Sequence, residues 1–188
     1  MSETLPLLTG PLDSAEDFTL TAVRHRGRVL LGKKAWGYGR DMLVLPGGKT
    51  RYYLGDDGIH SLSGPDDARR EVREETGVQL SGVTWAGMLD VLDGSDEKQV
   101  QLYTGVSDSV STIPSPELPD LQWYEGRALP YERMPADYRL WLPHVLAGRA
   151  VTGFFEKQKG RIRAAQVFAQ QQEPLGRLEK VVDFVDLA

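Results

Sequence analysis

The run Arg70-Glu71-Val72-Arg73-Glu74-Glu75-Thr76-Gly77-Val78 constrains this chain more than any other stretch. Glu71, Glu74 and Glu75 fall at i, i+3 and i+4, so on a helix all three project from one face. The flanks carry helix signals. Ser63 offers an N-cap oxygen, Asp66 and Asp67 put negative charge where the dipole favours it, and Gly77 stands where a C′ glycine ends a helix. Three carboxylates on one patch repel by a few tenths of a kcal/mol per exposed pair, and by more when partly buried, so the patch needs a cation. Oxygen-only ligands select a hard divalent ion, Mg²⁺ with Mn²⁺ as substitute, over zinc. Such an ion would hold phosphate oxygens and lower the pKa of a bound water, leaving one carboxylate as general base. An isolated E-x-x-E-E is more often a solvated helix face with Glu–Arg pairs at i, i+4, so the rest of the chain has to decide.

The bulk properties narrow the choice. A chain of 188 residues predicts one well-buried core with a terminal appendage, not two full domains. No apolar run approaches the roughly 20 residues of a bilayer crossing, and Met1 to Asp13 has neither a basic n-region nor an apolar h-region, so neither a span nor a secretory signal is expected. The chain has no cysteine, which excludes disulfide, zinc-thiolate and iron-sulfur sites and fits a cytoplasmic location. A net charge of -5 argues against a nucleic-acid polymer as partner, because nonspecific affinity is built from clustered Lys and Arg. A small anionic substrate held through a metal stays open. His25, His60 and His144 are too dispersed for an imidazole metal site.

Along the chain, alternation predicts strands over 18–24 and 28–31, and a short one over 42–45 that stops at Pro46-Gly47-Gly48. From Arg51 to Gly64 no period is visible, which reads as an irregular excursion. Strands over 83–92 and 98–106 are joined by the hairpin-like Asp93-Gly94-Ser95-Asp96, and another is expected over 121–124. Tyr138, Leu142 and Val145 recur at helical spacing, so a helix is expected between Pro135 and Leu146, kinked or ended early by Pro143. Arg161 to Gln172 also reads as a helix, and Lys180 to Ala188 is too short to assign. Gly47-Gly48-Lys49-Thr50 is not a P-loop, since Leu43 occupies the required first glycine, and Gly37-Tyr38-Gly39 lacks the third glycine of a dinucleotide fingerprint.

The nine-residue run resembles the second half of the Nudix signature, R-E-U-x-E-E-x-G-U with U aliphatic, at every fixed position. Average composition makes a chance match roughly one in 10⁵ for a chain of this length. The resemblance implies an α/β fold, an α/β/α sandwich with a mixed β-sheet and a loop-helix-loop catalytic motif, over a hydrolase domain 1–155 followed by a C-terminal extension 156–188. It also implies metal ligation by Glu71, Glu74, Glu75 and the carbonyl of Gly47, with Arg70 orienting a glutamate. The first half of the signature departs. Gly48 and Arg70 are separated by 21 residues where the pattern has 13, so eight residues interrupt the box within the excursion. Leu62 stands where the family has its first glutamate, a residue that mainly supports the helix, and Asp56 or Asp57 could substitute for it.

Leu30 to Gly39 followed by Pro46-Gly47-Gly48-Lys49, with Leu140-Trp141-Leu142-Pro143 and Gly153-Phe154-Phe155, resembles the MutT-like branch that removes oxidised purine nucleoside triphosphates. This likeness implies that Lys34 lies near substrate and that Glu117 assists the metal or the base, while Trp36, Tyr38, Asp137 and Trp141 border the substrate. The helical spacing of Trp141 equally fits a core position. Val44 replaces an Asn that reads the base in that branch, and of an Asp pair only Asp137 remains, so discrimination between bases should differ. The expectation is a Mg²⁺-dependent pyrophosphohydrolase of nucleoside triphosphates or related diphosphates. The alternatives are a nucleotide-sugar, dinucleotide or coenzyme pyrophosphatase, or a non-catalytic sensor that has kept the fold.

Overall fold

The computed structural model describes residues 16–50, 52–55, 58–61, 64–159, 161–171 and 178–182. Nine strands form one sheet: β1 (Glu16–His25), β2 (Arg28–Lys33), β3 (Leu43–Val44), β6 (Gly82–Asp93), β7 (Asp96–Val106), β8 (Asp120–Glu125), β9 (Arg149–Gln158), β10 (Arg161–Gln171) and β11 (Glu179–Val182). A separate hairpin, β4 (Tyr52–Gly55) and β5 (Gly58–Ser61), precedes helix α1 (Gly64–Thr76), and helix α2 (Tyr138–Leu146) lies between β8 and β9. Strand order is β11-β10-β9-β6-β7-β1-β2-β3, with β8 also on β2. The sheet is mixed, because β1 runs parallel to β7 and β6 parallel to β9 while the remaining pairs are antiparallel.

Successive strand residues point to opposite faces, and here both faces are covered. Ala22 and Leu31 join a cluster with Trp141, Leu142 and Val145 of α2, whereas Val23 and Leu30 pack with Val72 of α1 and with Val78. This is an α/β/α arrangement, with one core on either side of the sheet.

Helix α1 begins with Gly64-Pro65, proline at an early position where a missing N–H costs nothing, and carries Asp66 and Asp67 in its first turn. It stops at Gly77, whose φ of +68° is the left-handed value glycine adopts freely and whose N–H reaches the Arg73 carbonyl at 3.0 Å. The expected N-cap Ser63, together with Asp56, Asp57 and Leu62, lies outside the described residues.

Three expectations need correction. The excursion before α1 contains the β4–β5 hairpin, so the eight extra residues coincide with a paired element instead of an irregular loop. Residues 161–171 are a strand, not a helix: β10 pairs antiparallel with β9 along its length. A register shift between Ile162 and Ala164 breaks the alternation there, which disguises the two-residue period. Strand β9 runs through residue 155 to 158, so the domain boundary expected after 155 falls inside a strand of the main sheet. Pro143 sits inside α2, which continues three residues beyond it to Leu146.

Candidate active site

The gap that opens between β1 and β2 creates the site. Those strands pair only at Arg24–Val29 and His25–Arg28; farther along, β2 pairs with β3 at Gly32 and Lys33, while β8 lies along the other edge of β2 throughout. The vacated edge of β1 is taken by the loop after β3. Thr21 N–H bonds the Pro46 carbonyl at 2.9 Å, Thr19 N–H bonds the Gly48 carbonyl at 2.8 Å, and Thr50 N–H bonds the Asp17 carbonyl at 2.9 Å. Carbonyls of an extended chain alternate in direction, so with 46 and 48 facing β1 the N–H and carbonyl of Gly47 face the other way. The Gly47 N–H donates to Glu75 Oε2 at 2.7 Å, and among the described residues its carbonyl has no partner.

Gly47 is required by close approach, because a Cβ there would lie 2.0 Å from the Thr19 carbonyl oxygen. One on Gly48 would lie 2.6 Å from Glu71 Oε2, so a larger residue there would push the Glu71 carboxylate aside. The loop is therefore clamped between β1 and the carboxylates of α1.

On α1, Glu71 and Glu75 turn inward and Glu74 stays at the edge, with side chains 13%, 7% and 44% exposed. Arg70 sits among the acids: its guanidinium is 2.6 Å from Glu71, 3.0 Å from Glu74 and 2.7 Å from Asp67, and it donates to the Lys49 carbonyl at 3.3 Å. Burial pushes the Glu75 carboxyl up to about 7, against the Gly47 N–H and Lys34, which pull it down. Burial also raises Glu71. A desolvated carboxylate so poorly compensated gains by taking a cation.

Across the cleft, Lys34 follows β2 and forms an ion pair with Glu117, while its Nζ is 3.9 Å from Glu75 Oε1. The Ala35 N–H bonds the Glu117 carbonyl at 2.9 Å, which fixes the 117 loop beside residue 34. Among the described residues, no three acidic or imidazole side chains converge as a finished metal cluster. Arg70 and Lys34 instead pair with carboxylate oxygens of Glu71, Glu74 and Glu117. The donor set nevertheless fits a hard divalent ion: oxygen-only carboxylates, two of them desolvated, beside an unpaired backbone carbonyl in a loop no larger residue could replace.

A cleft of about 330 Å³ runs from this region across the sheet. Lys34, Trp36, Tyr38, Gly47, Glu117 and Asp137 all line it. The Trp36 and Tyr38 rings are half exposed at 51% and 52%, available for stacking. Trp141 is not at the cleft. It is completely buried in α2, its Nε1 donates to Asp137 Oδ2 at 3.0 Å and its ring packs on Tyr138, so it meets the cleft through those two lining residues. The expectation that it borders substrate is corrected accordingly.

The residue that sequence reasoning missed is Lys157. It lines the cleft and is 4% exposed, with Nζ 2.9 Å from Asp137 Oδ1 and 2.5 Å from the Tyr38 hydroxyl. Its signal was present in β9, where Gly153, Phe155 and Lys157 share one buried face by alternation.

The chain matches no established family profile. It is 28% identical over 142 residues to an oxidized purine nucleoside triphosphate hydrolase of Danio rerio, spanning 74% of this chain and 85% of the relative. Its fold is similar to a MutT protein from Bacillus halodurans, with a TM-score of 0.66 at 21% identity over 81% of this chain and 97% of that one. The NUDIX domain of Shewanella oneidensis NrtR, solved with ADP ribose, superposes with a TM-score of 0.55 at 16% identity, over 72% and 88% of the two chains. Among the described residues no helix is long and apolar enough to cross a membrane.

Proposed function

We infer that this chain, a MutT-like Nudix hydrolase by its fold and its relatives, hydrolyses nucleoside triphosphates or closely related nucleoside diphosphate derivatives to a nucleoside monophosphate and pyrophosphate or phosphate. The observation that carries the reading is the clamp at the glycine loop, where Gly47 is held against the Thr19 backbone and bonds Glu75, with Gly48 beside the Glu71 carboxylate.

Glu71, Glu74, Glu75 and the Gly47 carbonyl would hold the Mg²⁺, with Glu117 close by and Mn²⁺ as a substitute. Bound there, the ion supplies charge neutralisation for the phosphate chain and acidifies a coordinated water. The chain's own groups do the rest. Arg70 holds Glu71 and Glu74 in place against their mutual repulsion. Lys34 adds a cation beside the phosphates, and Trp36 and Tyr38 offer faces for the base. The attacking water forms a bond to phosphorus as the bridging P–O bond breaks. Its proton passes to a carboxylate, and the freed phosphate oxygens carry the leaving charge. The absence of cysteine is consistent with a cytoplasmic setting.

A phosphate-release screen at fixed Mg²⁺ over nucleoside triphosphates, nucleotide sugars, dinucleotides and coenzymes tests the proposal. Turnover of triphosphates above the other classes is expected. Preference for a nucleotide sugar or coenzyme would redirect the substrate, and no turnover of any class would leave a binding module.

A further inference from the structure

The far end of the cleft holds a compact polar cluster beside hydrocarbon lining, with Asp93 of β6 the cross-strand neighbour of Lys157. Leu45, Leu89, Val91 and Tyr138 line it, and set among them are Tyr38, Asp137 and Lys157. Asp137 has little acceptor capacity to spare: Oδ1 takes Lys157 at 2.9 Å and Tyr38 at 3.2 Å, and Oδ2 takes the Trp141 indole at 3.0 Å. Lys157 differs. An ammonium has three N–H donors, and two of them go to Asp137 and the Tyr38 hydroxyl, leaving one for a ligand. Its charge is tolerated in so buried a place because the Asp137 carboxylate is adjacent.

Position completes the argument. Lys157 is on β9, and the Gly47–Gly48 loop pairs with β1, three strands away in the order β9-β6-β7-β1. At about 4.8 Å per strand that separation is roughly 14 Å. A nucleotide with its phosphates at the glycine loop would reach this cluster with its base.

We propose that Lys157, held by Asp137 and Tyr38, is a specificity-determining residue that donates a hydrogen bond to an oxo group of the substrate's base. The site therefore favours bases presenting a carbonyl oxygen at that edge, such as guanine, hypoxanthine or uracil, over adenine and cytosine, whose amino groups would meet a donor with a donor. This rests on the nucleotide reading above and gives its substrate class. A hydrogen bond to a charged group in a dry site is worth about 1.5–3 kcal/mol, so discrimination of about 10- to 100-fold is expected.

The test measures binding of guanosine, inosine, uridine, adenosine and cytidine 5′-monophosphates by calorimetry without added metal, alongside turnover of the matching triphosphates. Wild type should rank the oxo bases first by the stated factor. Lys157→Met frees the Asp137 carboxylate to accept N–H groups and should level or reverse the ranking, while Lys157→Arg should keep it. If Lys157→Met fails to fold, the double variant Lys157→Met/Asp137→Asn removes both charges and should lose the ranking. Should neither variant fold, the wild-type ranking alone decides. Equal or absent binding of all five by wild type overturns the proposal, as does an unchanged ranking in Lys157→Met. The two inferences separate: base ranking that follows Lys157 without triphosphate cleavage sinks the hydrolysis reading only, whereas cleavage with no such ranking sinks this one only.

Discussion

Asp137 lines the cleft and Glu75 lies behind the Gly47 loop that lines its other part, and these two buried carboxylates are compensated differently. Asp137 is surrounded by donors, an ammonium, a phenol and an indole, each within about hydrogen-bond reach. Glu75 has one backbone N–H at 2.7 Å and an ammonium no closer than 3.9 Å that is already paired with Glu117. The first carboxylate is a finished part of the structure, and the second is poised to accept a cation. Loss of the first should therefore be felt in stability, and loss of the second in chemistry.

Asp137→Ala should produce the larger effect. It leaves Lys157 buried without its counter-charge, and breaking such a pair costs about 3–5 kcal/mol. Denaturant unfolding should show that loss, and Asp137→Ala/Lys157→Met should recover much of it. If single and double variants were equally destabilised, the cost would come from lost packing, and the distinction between the two ends would weaken.

Glu75→Gln should reverse the pattern. The amide keeps the shape and still accepts from Gly47, so stability should change little or rise in the absence of metal. Turnover should fall by about 10²-fold or more, which is about 2.7 kcal/mol in the barrier. Steady-state kinetics on the best substrate of the screen checks this. Full activity in the variant would mean that Glu75 is a structural acid, like Asp137.

The same contrast explains what the sequence made legible. At the helix end the partners are close along the chain: Arg70 reaches Glu71 and Glu74 within the nine-residue run and Asp67 just before it, all on α1. The Gly47–Gly48 loop was readable as the stop of a short apolar strand and through the signature resemblance, whereas its close approach to Thr19 emerges only in the fold. At the other end the partners come from three elements, Tyr38, Asp137 and Lys157, joined only by the sheet and α2. No local spacing encodes that meeting. Strands β6 and β7 were visible through alternation and a turn at Gly94, where φ is +67°. Strand β10 was not, because its bulge puts Ala164 and Ala165 side by side facing inward and leaves apolar residues at apparent helical intervals. Trp141 had the spacing of a core residue, and burial, not recognition, is what that spacing delivered.

The smallest expected effect concerns pH, and its sign follows from burial at Glu75. The ordinary carboxyl value is 4.5, and in the folded chain it is pushed up to about 7. The fold thus favours the neutral acid, so in metal-free protein this group's contribution to stability is fully present below about 4.5 and is lost as pH rises through 7. A divalent ion binds only the ionised form. At pH 5.5 it must displace a proton, and at pH 8 it need not, so the stabilisation by added Mg²⁺ should grow across that interval. Thermal melts with and without Mg²⁺ would show it as a widening difference, at roughly 2–4 °C per kcal/mol for a chain of this size. In Glu75→Gln the difference should be small and flat. A wild-type difference that is already large at pH 5.5 and does not grow would place the ion on carboxylates other than Glu75, and the under-compensated acid would lose its claim to be the metal's anchor.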